Sequence, residues 1–239
     1  MSTSDSFQPE ATVKRAEATM TAIKELIIAN HLQPGDPLPT ETTLCQHLGV
    51  SRSSVREAIR KLEALRIVSV VHGRGTYVGS LSMEPLVQTL AFRAILQGTV
   101  DFSALRDVIE VRRYLDLGCA EQVVSSLAGT QQPELAACVS RMRAHAQAGH
   151  TFPDDDIAFH LGLMDNIPNE VIKQLIHSLW LVHQAVVPTL GLAISPRLED
   201  TAEAHQAILD AALDGDVAAY REAVTQHYRP LEEIVAEQL

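Results

Sequence analysis

Aromatic side chains are scarce in this sequence, with 4% Phe, Tyr and Trp and a single tryptophan among 239 residues. No apolar run approaches the roughly 20 residues of a membrane-spanning helix, and the N-terminal residues lack the apolar segment of a secretion signal. The three cysteines, Cys45, Cys119 and Cys138, are odd in number and widely spaced, which argues against a disulfide framework. We therefore expect a helix-rich cytoplasmic protein.

Positive charge is also scarce. The sequence contains 19 Lys and Arg residues but 30 Asp and Glu residues, which gives a formal net charge of −11. The deficit is confined to one part of the chain: residues 1–80 have a net charge of +1 and residues 81–239 a net charge of −12. Such asymmetry favours two domains with different partners. The acidic part would repel a nucleic acid, so any DNA contact is expected in residues 1–80.

The first 80 residues carry the start and stop signals of three helices. Helical spacing of apolar residues predicts a first helix over 12–31, which the segment LQPGDPLP ends. Thr40 is a good N-cap for a short helix over 41–48, Gly49 ends that helix, and Ser51 caps a third. Two short helices joined by LGVS are typical of a helix-turn-helix motif.

The third helix has an apolar face and a polar face. Its apolar face carries Val55, Ala58, Ile59, Leu62 and Leu65. Ser53, Arg56 and Arg60 point nearly the opposite way, and Arg52 lies at the boundary. An isolated helix of this kind is more often a surface helix with solvated arginines, but the neighbouring helix and hairpin favour DNA binding. Arginine suits two-point contact with guanine, while Ser53 and Ser54 can reach phosphates or bases.

Two β-prone segments, IVSVV and TYVG, flank HGRG and predict a short hairpin. Its tip is basic and rich in glycine, as expected for a wing that lies against a DNA groove. His72 and Arg74 are the candidate contacts, and Gly73 and Gly75 allow a close approach of the backbone.

The helix-turn-helix and hairpin segments together resemble a known family of DNA-binding domains. The segment LPTETTLCQHLGVSRSSVREAIRKLEALRIVSVVHGRGTYV resembles the winged helix-turn-helix domain of GntR-family bacterial transcription regulators. The resemblance spans residues 23–78, with a specific SR…VREA…L core, and implies that Arg52, Arg56 and the wing glycines contact the operator. Thr42 stands where the family often has a phosphate-contacting arginine, and ALRIVSV lacks the usual glycine before the wing strand.

From Met83 onward the pattern is helical, without a convincing strand. The predicted helices lie near 84–97, 101–128, 133–148, 154–165, 168–190, 197–213 and 216–237. The expected fold is mainly α: a winged helix-turn-helix domain of three helices plus a β-hairpin wing over 10–79, a linker over 80–84, and an all-α six- or seven-helix bundle over 85–239.

Four side chains of this bundle can meet in its interior. Asp156 and His160 are four residues apart, so both project from one helix face. His205 and His227 lie at similar distances before and after the break at Gly215, so they reach a similar height in a helical hairpin. One carboxylate and three imidazoles suit Zn²⁺, Ni²⁺ or Mn²⁺ more than Ca²⁺. The spacing leaves open that these are separate surface or hydrogen-bonded histidines.

The same region resembles a known ligand-binding domain. The motifs EVRRYLD, DIAFH and EAHQAILDAALDGDVAAYREAVTQHY, within residues 84–235, are similar to the FCD domain of the FadR-type branch of the GntR family. The resemblance implies a homodimer in which a divalent metal, zinc first, with nickel or manganese as alternatives, helps to hold a small carboxylate effector. The metal ligands that it implies are Asp156, His160, His205 and His227.

Two further residues are candidates for the effector site. Arg112 belongs to an E-x-R motif and either binds the effector carboxylate in two-point fashion or forms an internal ion pair with Glu110 or Asp116. Asp116 stands where the family usually has glutamate. His183 lies on the long helix expected to cross the bundle, which makes it the best additional pocket residue.

The combined prediction is a homodimeric, effector-controlled regulator on a roughly palindromic operator, with half-sites about one helical turn apart. A metal sensor without an organic effector is the first alternative. A metal-dependent enzyme is the second, but the sequence shows no clear general base or nucleophile beside the metal ligands. An architectural DNA protein is the third, and it would have a filled apolar bundle.

Overall fold

The structure, a computed structural model, describes residues 9–98, 102–189 and 198–236. The chain forms two compact units, Met1–Pro85 and Leu86–Leu239. The described part of the first unit contains three helices and a two-stranded antiparallel sheet, and the second is helical throughout its described residues. The predicted fold class, a winged helix-turn-helix followed by an all-α bundle, is confirmed.

The first unit begins with α1 (Pro9–Ala29), α2 (Glu41–Leu48) and α3 (Arg52–Ala64). Both predicted N-caps are confirmed. The hydroxyl oxygen of Thr40 accepts a hydrogen bond from the Thr43 amide at 3.2 Å, and that of Ser51 accepts one from the Ser54 amide at 3.2 Å. These bonds satisfy amides that a helix start otherwise leaves unpaired, so the local sequence defines where both helices begin.

The apolar face of α3 packs in the core of this unit. Val55, Ala58 and Leu62 are fully buried there, beside Ile23 of α1. The prediction was wrong for Leu65, which is 47% exposed. Leu65 caps the end of α3, and the next residue, Arg66, adopts a left-handed φ of 57°, so the chain has left the helix before Leu65 could reach the core.

The hairpin consists of β1 (Val68–Val71) and β2 (Gly75–Val78). They pair in antiparallel register, with Val68 opposite Val78 and Val71 opposite Gly75. Only the base of the hairpin enters the core, through Val68 and Val78, while the tip is exposed. The sheet therefore anchors a projecting loop rather than covering the helices.

The chain following the hairpin is held against the turn after α3. The Gly79 amide donates to the Ile67 carbonyl at 2.8 Å, and the Leu81 amide donates to the Arg66 carbonyl at 3.0 Å. Arg66 also forms an ion pair of 2.7 Å with Glu84. The residues expected to form a linker therefore begin as a segment bonded to the first unit.

Gly79 leaves no room for a side chain at this contact. A Cβ atom there would lie 2.3 Å from the Arg66 carbonyl oxygen, a backbone atom that cannot rotate away. We expect Gly79→Ala to destabilise the first unit by about 2 kcal/mol, or to lower its Tm by about 10 °C. Calorimetry would measure this transition, and fluorescence of Trp180, which lies in the other unit, would follow the second unit independently.

Gly118→Ala is the matched control, since a Cβ at that helical position meets no atom within 4 Å. It should leave the first transition unchanged. A Gly79→Ala protein with wild-type stability of the first unit would contradict the close approach.

The second unit is reached through α4 (Glu84–Gly98) and continues as α5 (Ser103–Gly118), α6 (Ala120–Leu127), α7 (Pro133–Gln147), α8 (Pro153–Leu163), α9 (Glu170–Thr189), α10 (Leu198–Asp214) and α11 (Val217–Ala236). The segment predicted as one helix over 101–128 is two helices, because the chain turns at Cys119, which ends α5 and begins α6. The described residues thus contain eight helices from Glu84 onward. The predicted helix ends at 101, 190, 197 and 237 lie outside the described residues.

The core of the second unit is formed by α5 to α11, with a smaller contribution from α4. α10 packs against α7 and α11, and α5 packs against α9 and α11. The largest fully buried side chains include Phe159, Tyr220 and Tyr228, which together with aliphatic residues fill this space. Among the described helices, none is both long and apolar enough to cross a membrane.

Candidate functional site

The polar face of α3 is largely exposed. Arg52, Ser53, Arg56 and Arg60 are all exposed, and Ser54 is half-buried. The Ser51 hydroxyl is within 2.9 Å of the hydroxyls of both Ser53 and Ser54, so these two serines are held at the start of the helix. The structure therefore presents the predicted side chains on one surface.

Arg56 differs from its neighbours because it has a partner inside the unit. Its Nε atom donates to a carboxylate oxygen of Glu41 at 2.8 Å, which ties α3 to the start of α2. The pair is exposed, with 60% of the Arg56 side chain accessible. A surface pair of this kind contributes little to stability, so Arg56 can exchange this carboxylate for a nucleic-acid acceptor.

The tip of the hairpin carries the four predicted wing residues, His72, Gly73, Arg74 and Gly75, and all four are exposed. Gly73 and Gly75 have φ values of 75° and 120°, which side-chain-bearing residues rarely adopt. The glycines are therefore required for the turn itself, in addition to any close approach to a partner.

The second unit brings together the four residues that the sequence singled out. Asp156 and His160 project from α8, His205 from α10 and His227 from α11. One ligand-type atom from each lies within 4.8 Å of all the others. His160 and His205 are buried, and the other two are half-buried. The helical hairpin around Gly215 does place His205 and His227 at one height, as the spacing predicted.

The distances within this group fit a metal ion. His205 Nε2 lies 2.8 Å from Asp156 Oδ1, His160 Nε2 lies 3.4 Å from the same oxygen, and the Nε2 atoms of His160 and His227 are 3.2 Å apart. Ligand atoms 2.0–2.1 Å from a tetrahedral zinc ion are about 3.3–3.4 Å from each other. Three imidazole nitrogens and one carboxylate, all turned toward one point, could hold such an ion.

The electrostatic environment keeps Asp156 and His227 in the deprotonated forms that can bind a metal ion. Burial by itself would raise the pKa of Asp156, but His205 and His160 outweigh it and hold that pKa well below its usual range. Burial, together with the nearby His205 and His160, holds the pKa of His227 well below its usual range. At neutral pH the site thus offers an ionised carboxylate and, at His227, an imidazole with a free lone pair, the forms that bind metals.

Arg112 lies beside this group with unused hydrogen-bonding capacity. The residue is 3% exposed, and its Nε and Nη1 atoms are buried without a hydrogen-bond partner among the described residues. Its guanidinium lies 4.2 Å from the ring centre of Trp180 and 5.5 Å from that of Tyr228. Among the described side chains, Arg112 forms no ion pair with Glu110 or Asp116, so the internal pair that the sequence left open is not formed.

His183, the other candidate for the effector site, lies close to Arg112 and Trp180. Its ring lies 5.5 Å from that of Trp180, and its Nδ1 atom is buried without a partner in the described structure. Burial and the nearby Arg112 lower the pKa of His183 to about 3, so the side chain is neutral at physiological pH. It can therefore accept or donate a hydrogen bond, according to its tautomer.

A cavity of about 540 Å³ opens between α10 and α11. His227 is one of its lining residues. The remaining lining residues are Asp200, Thr201, Ala204, Gln226, Arg229, Pro230 and Glu233. The two effector residues predicted from the sequence, Arg112 and His183, are not among its lining residues.

Sequence reasoning missed two residues of this region. Trp180 was not singled out, although it precedes His183 by three residues on α9 and so lies on the same helix face. Tyr228, whose hydroxyl donates to Asp116 Oδ2 at 2.6 Å, carried no signal beyond its position next to His227. Their roles depend on contacts between helices that are distant in sequence.

Comparison with known proteins agrees with both units. Residues 15–78 match the family model described as bacterial regulatory proteins of the gntR family, and residues 107–230 match the FCD domain. A solved structure described as Streptococcus agalactiae GntR superposes with a TM-score of 0.63 and 24% identity, covering 91% of this chain and 99% of that one. That similarity supports the fold.

Two full-length relatives are regulators. The galactonate operon transcriptional repressor of Escherichia coli K12 is 24% identical over 209 residues, covering 87% of this chain and 91% of the relative. The HTH-type transcriptional regulator LutR of Bacillus subtilis is 27% identical over 215 residues, covering 88% and 96% respectively. The two family models and these relatives identify the chain as a DNA-binding transcription regulator.

More specifically, the chain belongs to the GntR family of bacterial regulatory proteins and combines its helix-turn-helix domain with an FCD domain.

Proposed function

We propose that this regulator binds its operator through α3 and the wing, and that a small carboxylate effector at a metal site in the FCD domain controls that binding. The observation that supports the proposal is the Asp–His₃ group, with two buried and two half-buried members, beside an arginine with unpartnered N–H groups. The proposed DNA contacts are Arg52, Ser53, Ser54, Arg56, Arg60, His72, Gly73, Arg74 and Gly75.

Zinc is the metal best suited to the proposed ligands Asp156, His160, His205 and His227. Imidazole nitrogens with one carboxylate in a compact group favour Zn²⁺, with Ni²⁺ or Mn²⁺ as alternatives, over Ca²⁺, which prefers six or more oxygen ligands. The bound ion would supply a positive charge that attracts an effector carboxylate. Because four protein ligands complete a tetrahedral shell, an effector oxygen would bind the ion itself only as a fifth ligand.

Arg112 and His183 complete the proposed effector site. A buried guanidinium without a partner is costly, and a carboxylate relieves the cost by accepting two hydrogen bonds from its planar edge. The neutral His183 can bond a further polar atom of the ligand. Such a site favours a small polar acid over a long acyl chain, and the relative named for the galactonate operon carries the name of a sugar acid.

The proposed organisation is a cytoplasmic homodimer, with a DNA-binding domain over 10–79, a linker over 80–84 and an effector and dimerisation domain over 85–239. Two winged domains would occupy the half-sites of a roughly palindromic operator. The effector can shift operator affinity only if it binds one arrangement of the dimer more tightly than another.

The test is a thermal-shift screen of small carboxylic acids on the purified full chain, with and without prior chelation. An acid present at 100 times its dissociation constant should add about 2.7 kcal/mol, or about 5–10 °C in Tm. We expect one acid to give such a shift, chelation to abolish it, and added Zn²⁺ to restore it.

Two other results would redirect the proposal. A large loss of Tm on chelation with no response to any acid would favour a metal sensor. Operator binding would then be measured as a function of Zn²⁺ concentration without an organic ligand. A shift that survives chelation unchanged would contradict the participation of a metal in effector binding.

A further inference from the structure

Each imidazole in the Asp–His₃ group turns its Nε2 atom inward, so its Nδ1 atom faces outward. A histidine binds a metal through Nε2 only while the proton resides on Nδ1, and a hydrogen-bonding partner at Nδ1 keeps it there. The surroundings of the three Nδ1 atoms therefore decide how well the group is prepared for a cation.

The three outward nitrogens have different surroundings. His205 Nδ1 lies 2.7 Å from the Thr201 carbonyl oxygen, one turn earlier on α10, so its proton is held by the helix itself. His227 Nδ1 is buried and has no hydrogen-bond partner among the described residues. His160 Nδ1 lies 3.7 Å from Asp116 Oδ2, a carboxylate oxygen on α5. His160 is thus the ligand whose outer nitrogen faces a charged side chain.

Asp116 is itself held in place. Its Oδ2 atom accepts a hydrogen bond of 2.6 Å from the Tyr228 hydroxyl, which comes from α11, next to His227. Both partners are nearly inaccessible, with 3% of Asp116 and 2% of Tyr228 exposed.

We propose that Asp116, held by the Tyr228 hydroxyl, is a positioning residue that keeps the proton of His160 on Nδ1 and so leaves Nε2 free for the cation. This inference rests on the proposed metal site. The present separation of 3.7 Å is longer than a hydrogen bond, so the interaction in this state is electrostatic. In a buried setting the negative charge favours the tautomer with its N–H directed at the carboxylate, and that preference grows when His160 binds a cation.

Asp116 also joins three helices at this point. It lies on α5, faces His160 on α8 and bonds Tyr228 on α11. Arg112, the proposed effector anchor, precedes it by one turn on α5, so both residues share one helix face. A change at the metal group is thereby linked to the helix that carries the anchor.

The experiment compares Asp116→Asn with wild type, using the full chain and Zn²⁺ in competition with a chromophoric chelator. Asparagine keeps the volume and the acceptor for Tyr228 but removes the negative charge. We expect the dissociation constant for Zn²⁺ to rise by about 10- to 100-fold, the usual effect of losing an outer-sphere partner. Tyr228→Phe should weaken binding less, and should add little in the Asp116→Asn background.

A second readout separates positioning from general support of the fold. ¹⁵N chemical shifts of the histidine rings in the metal-free protein report the tautomer of His160, and His160→Gln identifies its signals. We expect the Nδ1–H tautomer in wild type and a smaller share of it in Asp116→Asn. Combined with His160→Ala, Asp116→Asn should lower Zn²⁺ affinity no further.

The outcomes are distinguishable. If wild type binds Zn²⁺ and Asp116→Asn binds it within twofold, the positioning role is overturned while the metal site stands. An Asp116→Asn protein that loses only thermal stability, with an unchanged tautomer and unchanged Zn²⁺ affinity, overturns the positioning role as well. If wild type binds no divalent cation, the proposed metal site fails first, and the inference fails with it.

Discussion

His205→Ala should lower the affinity for Zn²⁺ by at least about 100-fold, more than the loss of an outer-sphere partner costs. His205 is fully buried, its Nε2 atom contacts Asp156, and its Nδ1 proton is held by the Thr201 carbonyl. The substitution removes the most firmly oriented of the three imidazoles and leaves Asp156 without its nearest partner. Equilibrium competition with a chelator measures the effect, and quenching of Trp180 by Co²⁺ provides a second signal, because its ring lies 5.7 Å from His160.

His177→Ala is the matched control for this experiment. His177 is exposed on α9 and lies outside the Asp–His₃ group, so its loss should leave Zn²⁺ affinity within twofold of wild type. Both variants should retain operator binding in the absence of effector, since neither changes the first unit. Wild-type Zn²⁺ affinity in His205→Ala would contradict the assignment of the metal ligands.

Arg56→Ala should weaken operator binding by about 10- to 100-fold, equivalent to about 1–3 kcal/mol for a two-point contact with a guanine. The physical reason is its place on the exposed face of α3, where the guanidinium can leave Glu41 for a base edge. Binding should be measured on an operator selected from random duplexes with the wild-type protein, at two or more salt concentrations. Zn²⁺ content should not change.

Arg221→Ala controls for the loss of one positive charge and one surface ion pair. Arg221 pairs with Glu121 at 3.2 Å and is 49% exposed, but it lies on α11 in the other unit. We expect it to bind the operator as wild type does. Equal losses of operator affinity in the two variants would mean that net charge, and not a specific contact, accounts for the effect of Arg56. Wild-type operator affinity in Arg56→Ala would contradict the assignment of Arg56 to the DNA interface.

Local structure in the first unit follows directly from short-range signals. Thr40 and Ser51 each supply the hydroxyl that caps a helix, so the starts of α2 and α3 were predictable to the residue. The exception, Leu65, shows where periodicity fails, because a helical repeat says nothing about where the helix stops. Arg66 takes the left-handed conformation before β1, in the segment that lacks the family's usual glycine.

The buried group in the second unit was predictable for a different reason. An i, i+4 pair fixes Asp156 and His160 on one helix face, and the nearly equal distances of His205 and His227 from Gly215 fix their heights in a hairpin. Periodicity could not show that the two pairs face each other, since that depends on how α8 packs against the α10–α11 hairpin. The structure supplies that packing and places all four within 4.8 Å.

The sequence by itself determined the class of the protein, the position of most helices, the separation of charge between the two units and the identities of the four candidate metal ligands. Residue spacing and composition indicated the helices, the charge separation and the possible grouping of the four ligands, because these depend on the order of residues along the chain. The class of the protein and the assignment of the four ligands to a metal came from resemblance to a known family. Only the tertiary structure decided that Arg112 has no acidic partner among the described side chains, that Arg56 is paired with Glu41, and that Asp116 lies between His160 and Tyr228. Such contacts join residues on different helices or depend on which of several neighbours a side chain can reach, and packing alone determines both.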